Sequence, residues 1–113
     1  MLPKENRLPA HKIKQVLDLG RWLKSQPLSL VALEDKKARE TKIAVIVPTK
    51  IEKRAIARNR LRRQIREILR KKTFHLKKGK EIIVMVNPGA VKKSSKKLEE
   101  AIEELLKKGG LIG

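Results

Sequence analysis

The stretch KIEKRAIARNRLRRQIREILRKK, from Lys50 to Lys72, decides the fold because it predicts a long helix with two unlike faces. On a 3.6-residue wheel its apolar side chains share one arc, and most of its cations lie opposite. No Gly or Pro interrupts the run, so helix propensity agrees with the periodicity. The apolar arc holds Ala57, Leu61, Ile65, Ile68 and Leu69. The opposite side holds Asn59, Arg60, Arg62, Arg63, Arg66 and Arg70.

The charge of this stretch has almost one sign. Its eleven cations and two acids leave +9, which is half of the formal net charge of +18 for the whole chain. Like charges spaced i,i+4, as in Arg58 and Arg62, destabilise a helix by about 0.2–0.5 kcal/mol per pair. A polyanion would relieve this repulsion, and arginine suits forked contacts with phosphate. The pattern therefore predicts a nucleic-acid-binding face rather than an ordinary solvated face, where signs usually mix.

Composition limits the domain organisation, the kind of partner and the location that can be expected. The 113 residues predict one domain, 1–113, with 40% hydrophobic and only 2% aromatic residues. A pI near 10.7 favours a polyanionic partner. The lack of cysteine excludes disulfides and thiolate metal sites. No apolar run approaches the roughly 20 residues of a membrane span, and no signal-peptide block opens the chain, so no membrane partner and a cytoplasmic location are expected.

The remaining segments predict a two-layer α+β sandwich with the order α-β-β-α-β-α. A first helix begins near Pro9 and ends at Gly20. Apolar runs predict strands at 28–33, 41–47 and 81–86, the first two as an antiparallel pair joined by a polar turn. A last helix follows Ser94 or Ser95 and carries its acids on the outer face. An extra short strand near Trp22 is left open.

The run AIARNRLRRQIRE, from Ala55 to Glu67, closely resembles the motif of the bacterial ribonuclease P protein subunit. A β-like segment at 43–47 and Lys50 precede it, and the order of elements fits along nearly the whole chain. The resemblance implies the ribosomal protein S5 domain 2-like form of the sandwich. It also implies a left-handed βαβ crossover, although such crossovers are right-handed in about 98% of cases.

The resemblance implies function as well. In that family a catalytic RNA uses divalent metal, expected to be Mg²⁺, to remove the 5′ leader of precursor tRNA, and the protein assists. The implied partners are this RNA and precursor tRNA, with no protein partner and no cofactor held by the protein. The basic helix and its preceding loop would contact RNA, with a structural role as the alternative for Asn59. The RNA-binding residues would be Lys50, Lys53, Arg54, Arg58, Asn59, Arg60, Arg62, Arg63, Arg66 and Arg70.

A second implied site is a cleft for the single-stranded leader, between the first helix and the sheet. By spacing its helix positions fall on Ile13 and Leu17, and Val31 is placed on the cleft face of the sheet. The family usually has aromatic residues on this helix, and their loss removes stacking worth about 1–3 kcal/mol per base. Ile13 and Leu17 could instead belong simply to the core. Trp22 is interpreted as a partly buried core anchor, with a base-stacking platform as the less favoured alternative.

The sequence predicts no catalytic residue. His11 and His75 lie far apart and lack a Ser or carboxylate at catalytic spacing. The acids at 99–104 fall on a solvated helix face, which is no two-metal site. The main hypothesis is therefore a ribonuclease P protein subunit. The alternatives are a structural RNA-binding protein of ribosomal type, without a role in tRNA processing, and a stand-alone nuclease.

Overall fold

The computed structural model describes residues 6–72 and 76–112, which form three α-helices and four β-strands, with helices on both faces of one sheet. The strand near Trp22 is present, so the observed order is α-β-β-β-α-β-α and the predicted order was one strand short. Phe74 and His75, expected to close the basic helix, lie outside the described residues. The elements are α1 (Ala10–Leu19), β1 (Arg21–Ser25), β2 (Leu28–Glu34), β3 (Lys42–Ile46), α2 (Ala55–Lys72), β4 (Lys80–Val86), a 3₁₀ turn (Ala90–Lys92) and α3 (Ser95–Lys108).

The four strands form one sheet in the order β1-β2-β4-β3. The strand β2 pairs antiparallel with both β1 and β4, and β3 pairs parallel with β4. The predicted antiparallel pair of β2 and β3 is therefore wrong, because β4 lies between them. β4 is apolar and buried on both faces, which favours a central position. β1 carries the charged residues Arg21 and Lys24, which are typical of a strand at the edge of a sheet.

The helices α2 and α3 cover one face of the sheet and enclose the larger core. The undersides of both helices are buried as predicted, through Leu61, Ile65, Ile68 and Leu69 of α2 and Leu98, Ala101, Ile102, Leu105 and Leu106 of α3. They pack on strand residues that include Leu30, Ile82 and Val84. Each fully buried leucine, isoleucine or valine among them stabilises the fold by about 1.5–3 kcal/mol. The cationic side of α2 consequently faces away from the sheet.

The helix α1 covers the other face and encloses a smaller core, in which Val16, Val31 and Ile83 are fully buried. Gly20 ends α1, and its N–H donates to the Val16 carbonyl at 2.8 Å. A Cβ atom at Gly20 would lie 2.6 Å from Cγ1 of Val31. Only glycine therefore allows the chain to pass directly from α1 into β1 at this close approach.

The remaining predictions concern helix ends and the crossover. Ser94, rather than Ser95, caps α3, accepting a hydrogen bond from the Lys97 N–H at 3.3 Å. Ion pairs at i,i+4 spacing join Lys107 to Glu103 and Lys108 to Glu104 at 3.6 and 3.7 Å. The segment β3–α2–β4 is a parallel βαβ unit, and the left hand of its crossover stays a prediction.

Candidate nucleic-acid interface

The outer face of α2 is a cationic surface about 27 Å long, from 18 residues at 1.5 Å each. No ion pair within 4.0 Å joins Arg60 or Arg63 to an acid in the described part of the chain. Among the predicted RNA-binding residues, Lys50, Lys53, Arg54, Asn59, Arg60, Arg63, Arg66 and Arg70 are exposed, whereas Arg58 and Arg62 are half-buried. The structure therefore places the predicted set on one continuous segment, the loop and the helix.

Arg58 has a structural contact that the sequence did not predict. Its Nη1 donates to the carbonyl oxygens of Glu52 and Lys53, at 3.1 and 2.8 Å. The same loop is held by Glu52, whose carboxylate accepts from the backbone N–H of Arg54 at 3.1 Å and from its Nη2 at 2.7 Å. These hydrogen bonds from Arg54 lower the pKa of Glu52 to about 2. Arg58 thus braces the loop that presents Lys53 and Arg54.

Asn59 lies at the middle of the cationic surface. Its Oδ1 accepts a hydrogen bond from Nη1 of Arg62 at 2.9 Å, and its side chain is exposed. The contact orients Arg62 across the helix surface. Asn59 therefore has a structural contact and is also accessible to a ligand, so both roles considered for it are compatible with its position.

Three guanidinium groups gather where α2 approaches the N-terminal segment. Partial burial, together with the nearby charges of Arg62 and Arg7, lowers the pKa of Arg66. Arg7 reaches this place because residues 7 and 8 run beside β3, with the Leu8 N–H donating to the Ile43 carbonyl at 2.9 Å. An anion bound here would relieve the repulsion between the cations.

A groove of about 300 Å³ connects this cationic cluster with α1. Its wall includes Arg7, Ile13, Ala44 and Arg66. Of the predicted cleft residues, Ile13 lines the groove and is half-buried, and Leu17 is half-buried against the same apolar cluster. Val31 lies on the predicted face, but α1 covers it completely. Val31 therefore supports α1 from below and cannot contact a bound strand, which corrects its predicted role.

Trp22 is not the core anchor that the sequence favoured. Its side chain is 51% exposed on β1, beyond the end of α1. The indole Nε1 donates to the Leu17 carbonyl at 3.2 Å. The core interpretation failed because an aromatic residue next to an apolar strand usually packs inward, whereas β1 lies at the sheet edge.

Two residues of this surface were missed from the sequence. Ile56 is 77% exposed on the outer side of α2, where it lines a groove with Arg60 and Arg63. Its place opposite the apolar arc of the wheel could have identified it. Arg7 carried no such signal, because its position depends on the pairing of the N-terminal segment with β3.

The acids of α3 are paired with lysines. Lys72, at the end of α2, lies 4.0 Å from Glu99 and 3.9 Å from Glu103. Within residues 6–72 and 76–112, no group of three or more acids or histidines is arranged to hold a metal ion. No described helix is long and apolar enough to cross a membrane.

The comparison with known families decides the assignment. The sequence model described as Ribonuclease P matches residues 2–110. The chain belongs to the ribonuclease P protein family. The ribonuclease P protein component of Pseudanabaena sp. is 34% identical, with 99% of this chain and 97% of that protein covered. The corresponding protein of Microcystis aeruginosa is 28% identical, with 98% and 96% covered.

Solved structures of the family share the fold. The RNase P protein of Staphylococcus aureus superimposes with a TM-score of 0.86 at 19% identity, covering 96% of this chain and 98% of that one. The protein of Thermotoga maritima gives a TM-score of 0.79 at 21% identity, covering 90% and 96%. The α+β class predicted from the sequence is confirmed. Members of the family are protein components of a ribonucleoprotein endoribonuclease and associate with its RNA.

Proposed function

We propose that this protein docks on the catalytic RNA of ribonuclease P through α2 and helps hold the 5′ leader of precursor tRNA during cleavage. The observation that carries the proposal is the outer face of α2, where Arg60 and Arg63 are exposed and joined to no acid in the described chain. Exposed cations at this density are stabilised when a polyanion replaces water and counterions. The family membership supports the RNA component of ribonuclease P as that polyanion.

The leader is proposed to enter by the groove beside α1. Ile13 gives this groove an apolar wall, and Arg7 and Arg66 give it a cationic end. A single strand needs both kinds of contact, because its bases are apolar on their faces and its phosphates are charged. Leu17 contributes next to Ile13, without the rings that the family usually has.

The cleavage chemistry is proposed to belong to the RNA and its divalent metal. The protein assists by neutralising phosphate repulsion, which lowers the magnesium concentration at which the RNA folds into its active form. This role requires charge and shape from the protein, and no catalytic side chain. The place of action is proposed to be the cytoplasm, where tRNA precursors are made in bacteria.

The decisive experiment is cleavage of a precursor tRNA by a bacterial ribonuclease P RNA at limiting magnesium, with and without this protein. Stimulation that requires both components is expected, and the protein alone should be inactive. Stimulation should fade as magnesium is raised, because the added cations then replace the protein's charge. Tight RNA binding without any stimulation would contradict the proposal and favour a structural RNA-binding protein of ribosomal type. Cleavage by the protein alone would indicate a nuclease.

The double variant R60A/R62A tests the docking face. It should weaken assembly with the RNA and shift half-maximal cleavage to higher magnesium. The matched control is K107A/K108A on α3, which removes the same charge at two lysines that are paired with acids. Equal effects of the two variants would mean that total charge, rather than the α2 face, governs assembly.

A further inference from the structure

Trp22 is the single tryptophan of the chain, and its position is fixed although half of its side chain is exposed. The hydrogen bond from its Nε1 to the Leu17 carbonyl ties the indole to the last turn of α1. The tight passage at Gly20 brings β1 directly under that turn. A ring held at one edge, with its remaining surface accessible, is pre-organised for contact and loses little freedom on binding.

The register of the sheet shows what lies beside Trp22. Partners across neighbouring strands point to the same face, so Trp22, Val31, Ile83 and Ala44 form one row under α1. The next row on this face consists of Lys24, Ser29, Met85 and Ile46. We call it the open row, because α1 leaves Lys24 exposed and Met85 and Ile46 only half-buried.

The open row spans about 14 Å from β3 to β1, given strand spacings of about 4.8 Å. Met85 on β4 and Ile46 on β3 make one half of the row apolar. Ser29, buried on β2, separates them from Lys24, which closes the row at the β1 edge beside Trp22. The nearest acid on α1, Asp18, is bonded to Lys14 at 3.3 Å. A tryptophan ring and a lysine side by side at this edge fit a nucleotide, with its base on the ring and its phosphate on the cation.

We infer that Trp22 is a stacking platform for an unpaired base of the 5′ leader, at the β1 end of the open row. The inference rests on the proposed function, because it takes the leader as the strand that crosses this face. It places an aromatic contact on β1, whereas the α1 positions Ile13 and Leu17 are aliphatic. This chain would then hold the leader by a stacking contact that comes from the sheet edge rather than from the helix.

Fluorescence tests the inference directly, because Trp22 is the only tryptophan and the chain has no tyrosine. A single-stranded RNA with the leader sequence should quench the emission at low salt. An abasic oligonucleotide of the same length should bind through its phosphates without this quenching. Equal quenching by both, or none by either, would overturn the inference.

Variants separate stacking from packing. W22F should keep most of the affinity for the leader oligonucleotide, and W22L should lose it by about tenfold or more. The slope of log affinity against log salt should stay unchanged in W22L, since no phosphate contact is removed. L19A truncates a neighbouring apolar side chain that is 66% exposed and should have no effect. A W22L protein that binds like the wild type would refute the inference, and its unfolding curve establishes that it is folded.

A cleavage assay separates a failure of the inference about Trp22 from a failure of the proposed function. Precursors with long and short leaders are cleaved by the assembled enzyme with wild-type protein, W22F or W22L. A loss confined to W22L and to long leaders supports the stacking role. Stimulation that is identical for all three proteins leaves the subunit role intact and overturns the role of Trp22. Absence of stimulation by the wild type, together with base-dependent quenching, would instead refute the subunit role and the leader as the bound strand, while base stacking on Trp22 would stand.

Discussion

The helices α2 and α3 lie side by side on the same face of the sheet, but their outer surfaces differ in charge. Both bury a stripe of aliphatic side chains in the shared core. α2 carries eight cations and one acid, a net charge of +7, whereas α3 carries four of each and is neutral. Every acid of α3, namely Glu99, Glu100, Glu103 and Glu104, lies within 4.0 Å of a lysine.

The comparison teaches that packing and function are separate properties of an amphipathic helix. The buried stripe determines where the helix lies, and the outer face determines what it meets. The acids of α3 lie beside lysines of α3 and, for Glu99, beside Lys72 of α2, whereas Arg60 and Arg63 of α2 lie beside no acid in the described chain. The predictions below test this separation, from the largest effect to the smallest.

Truncation of a buried side chain should destabilise the fold by a similar amount in α2 and in α3. Ile65→Ala in α2 and Ile102→Ala in α3 each remove a fully buried side chain. Each should lower the free energy of unfolding by about 2–5 kcal/mol, measured by urea denaturation. Ile56→Ala makes the same truncation at a 77% exposed position of α2 and should change it by less than about 0.5 kcal/mol. A large loss at Ile56 would show that the outer face also serves stability.

Removal of outer charge should show that the two helices differ in binding. R60A/R63A should lower affinity for the catalytic RNA and reduce the slope of log affinity against log salt by about 2, one unit for each lost phosphate contact. K107A/K108A on α3 should leave both quantities nearly unchanged. Filter binding between 50 and 200 mM salt measures them. Equal slopes for the two variants would remove the distinction between the helices.

Arg58 should behave as a structural residue within the binding helix. Arg58→Ala removes the hydrogen bonds to the carbonyls of Glu52 and Lys53. The unfolding free energy should fall by about 1 kcal/mol, and amide exchange in the loop at 52–54 should become faster. Arg63→Ala is the matched control, since Arg63 is exposed and makes no such contact with the residues that the structure describes. Identical amide exchange in both variants would show that Arg58 does not brace the loop and serves only in RNA binding.

The contact between the two helices through Lys72 should contribute little to the stability of the fold. Its Nζ lies 4.0 and 3.9 Å from the carboxylates of Glu99 and Glu103, which are about half exposed. Lys72→Ala should therefore cost only about 0.2–1 kcal/mol of stability, and 1 M salt should abolish the difference. A loss that persists in high salt would show that the aliphatic part of Lys72, rather than its charge, joins the helices.

The smallest effect concerns the acid of α2. Hydrogen bonding from Arg70 lowers the pKa of Glu67 from 4.5 to about 2. A lowered carboxyl pKa stabilises the fold above pH 4.5, and this contribution disappears as the pH falls from 4.5 to about 2. Arg70→Ala should return the pKa of Glu67 toward 4.5, measured by NMR of the side-chain carboxyl, without changing its charge at pH 7. A pKa that stays near 2 would identify a different cause.

The sequence predicted what depends on one helix or strand and missed what depends on distant pairings. The stripe of Leu61, Ile65 and Leu69 is a local pattern, and the helix predicted within residues 50–72 is present as α2, which begins at Ala55. The place of β4 between β2 and β3 was not predicted, because a polar turn between two apolar runs is compatible with a hairpin or with separated strands. Arg7 was missed for the same reason, since only its contact with β3 brings it to the site.

The binding site was predicted as a set of residues and not as a geometry. The resemblance supplied the members of the cationic face, and all ten lie on the loop and helix that it implied. It could not show that Arg58 turns back to the loop or that Val31 is covered by α1. Trp22 depends on where β1 lies in the sheet, and its exposure follows from tertiary structure alone.

The central position of β4 also determines when the chain can fold during synthesis. β4 follows α2 in the chain, yet it supplies the inner neighbour of both β2 and β3. A nascent chain that ends after α2 therefore has two strands without a shared partner and a basic helix without a complete sheet to pack on. Such distant pairings form late and slow the folding of a chain. The cationic face is thus made of residues that the ribosome adds midway, but it gains a fixed geometry only after the last strand has emerged.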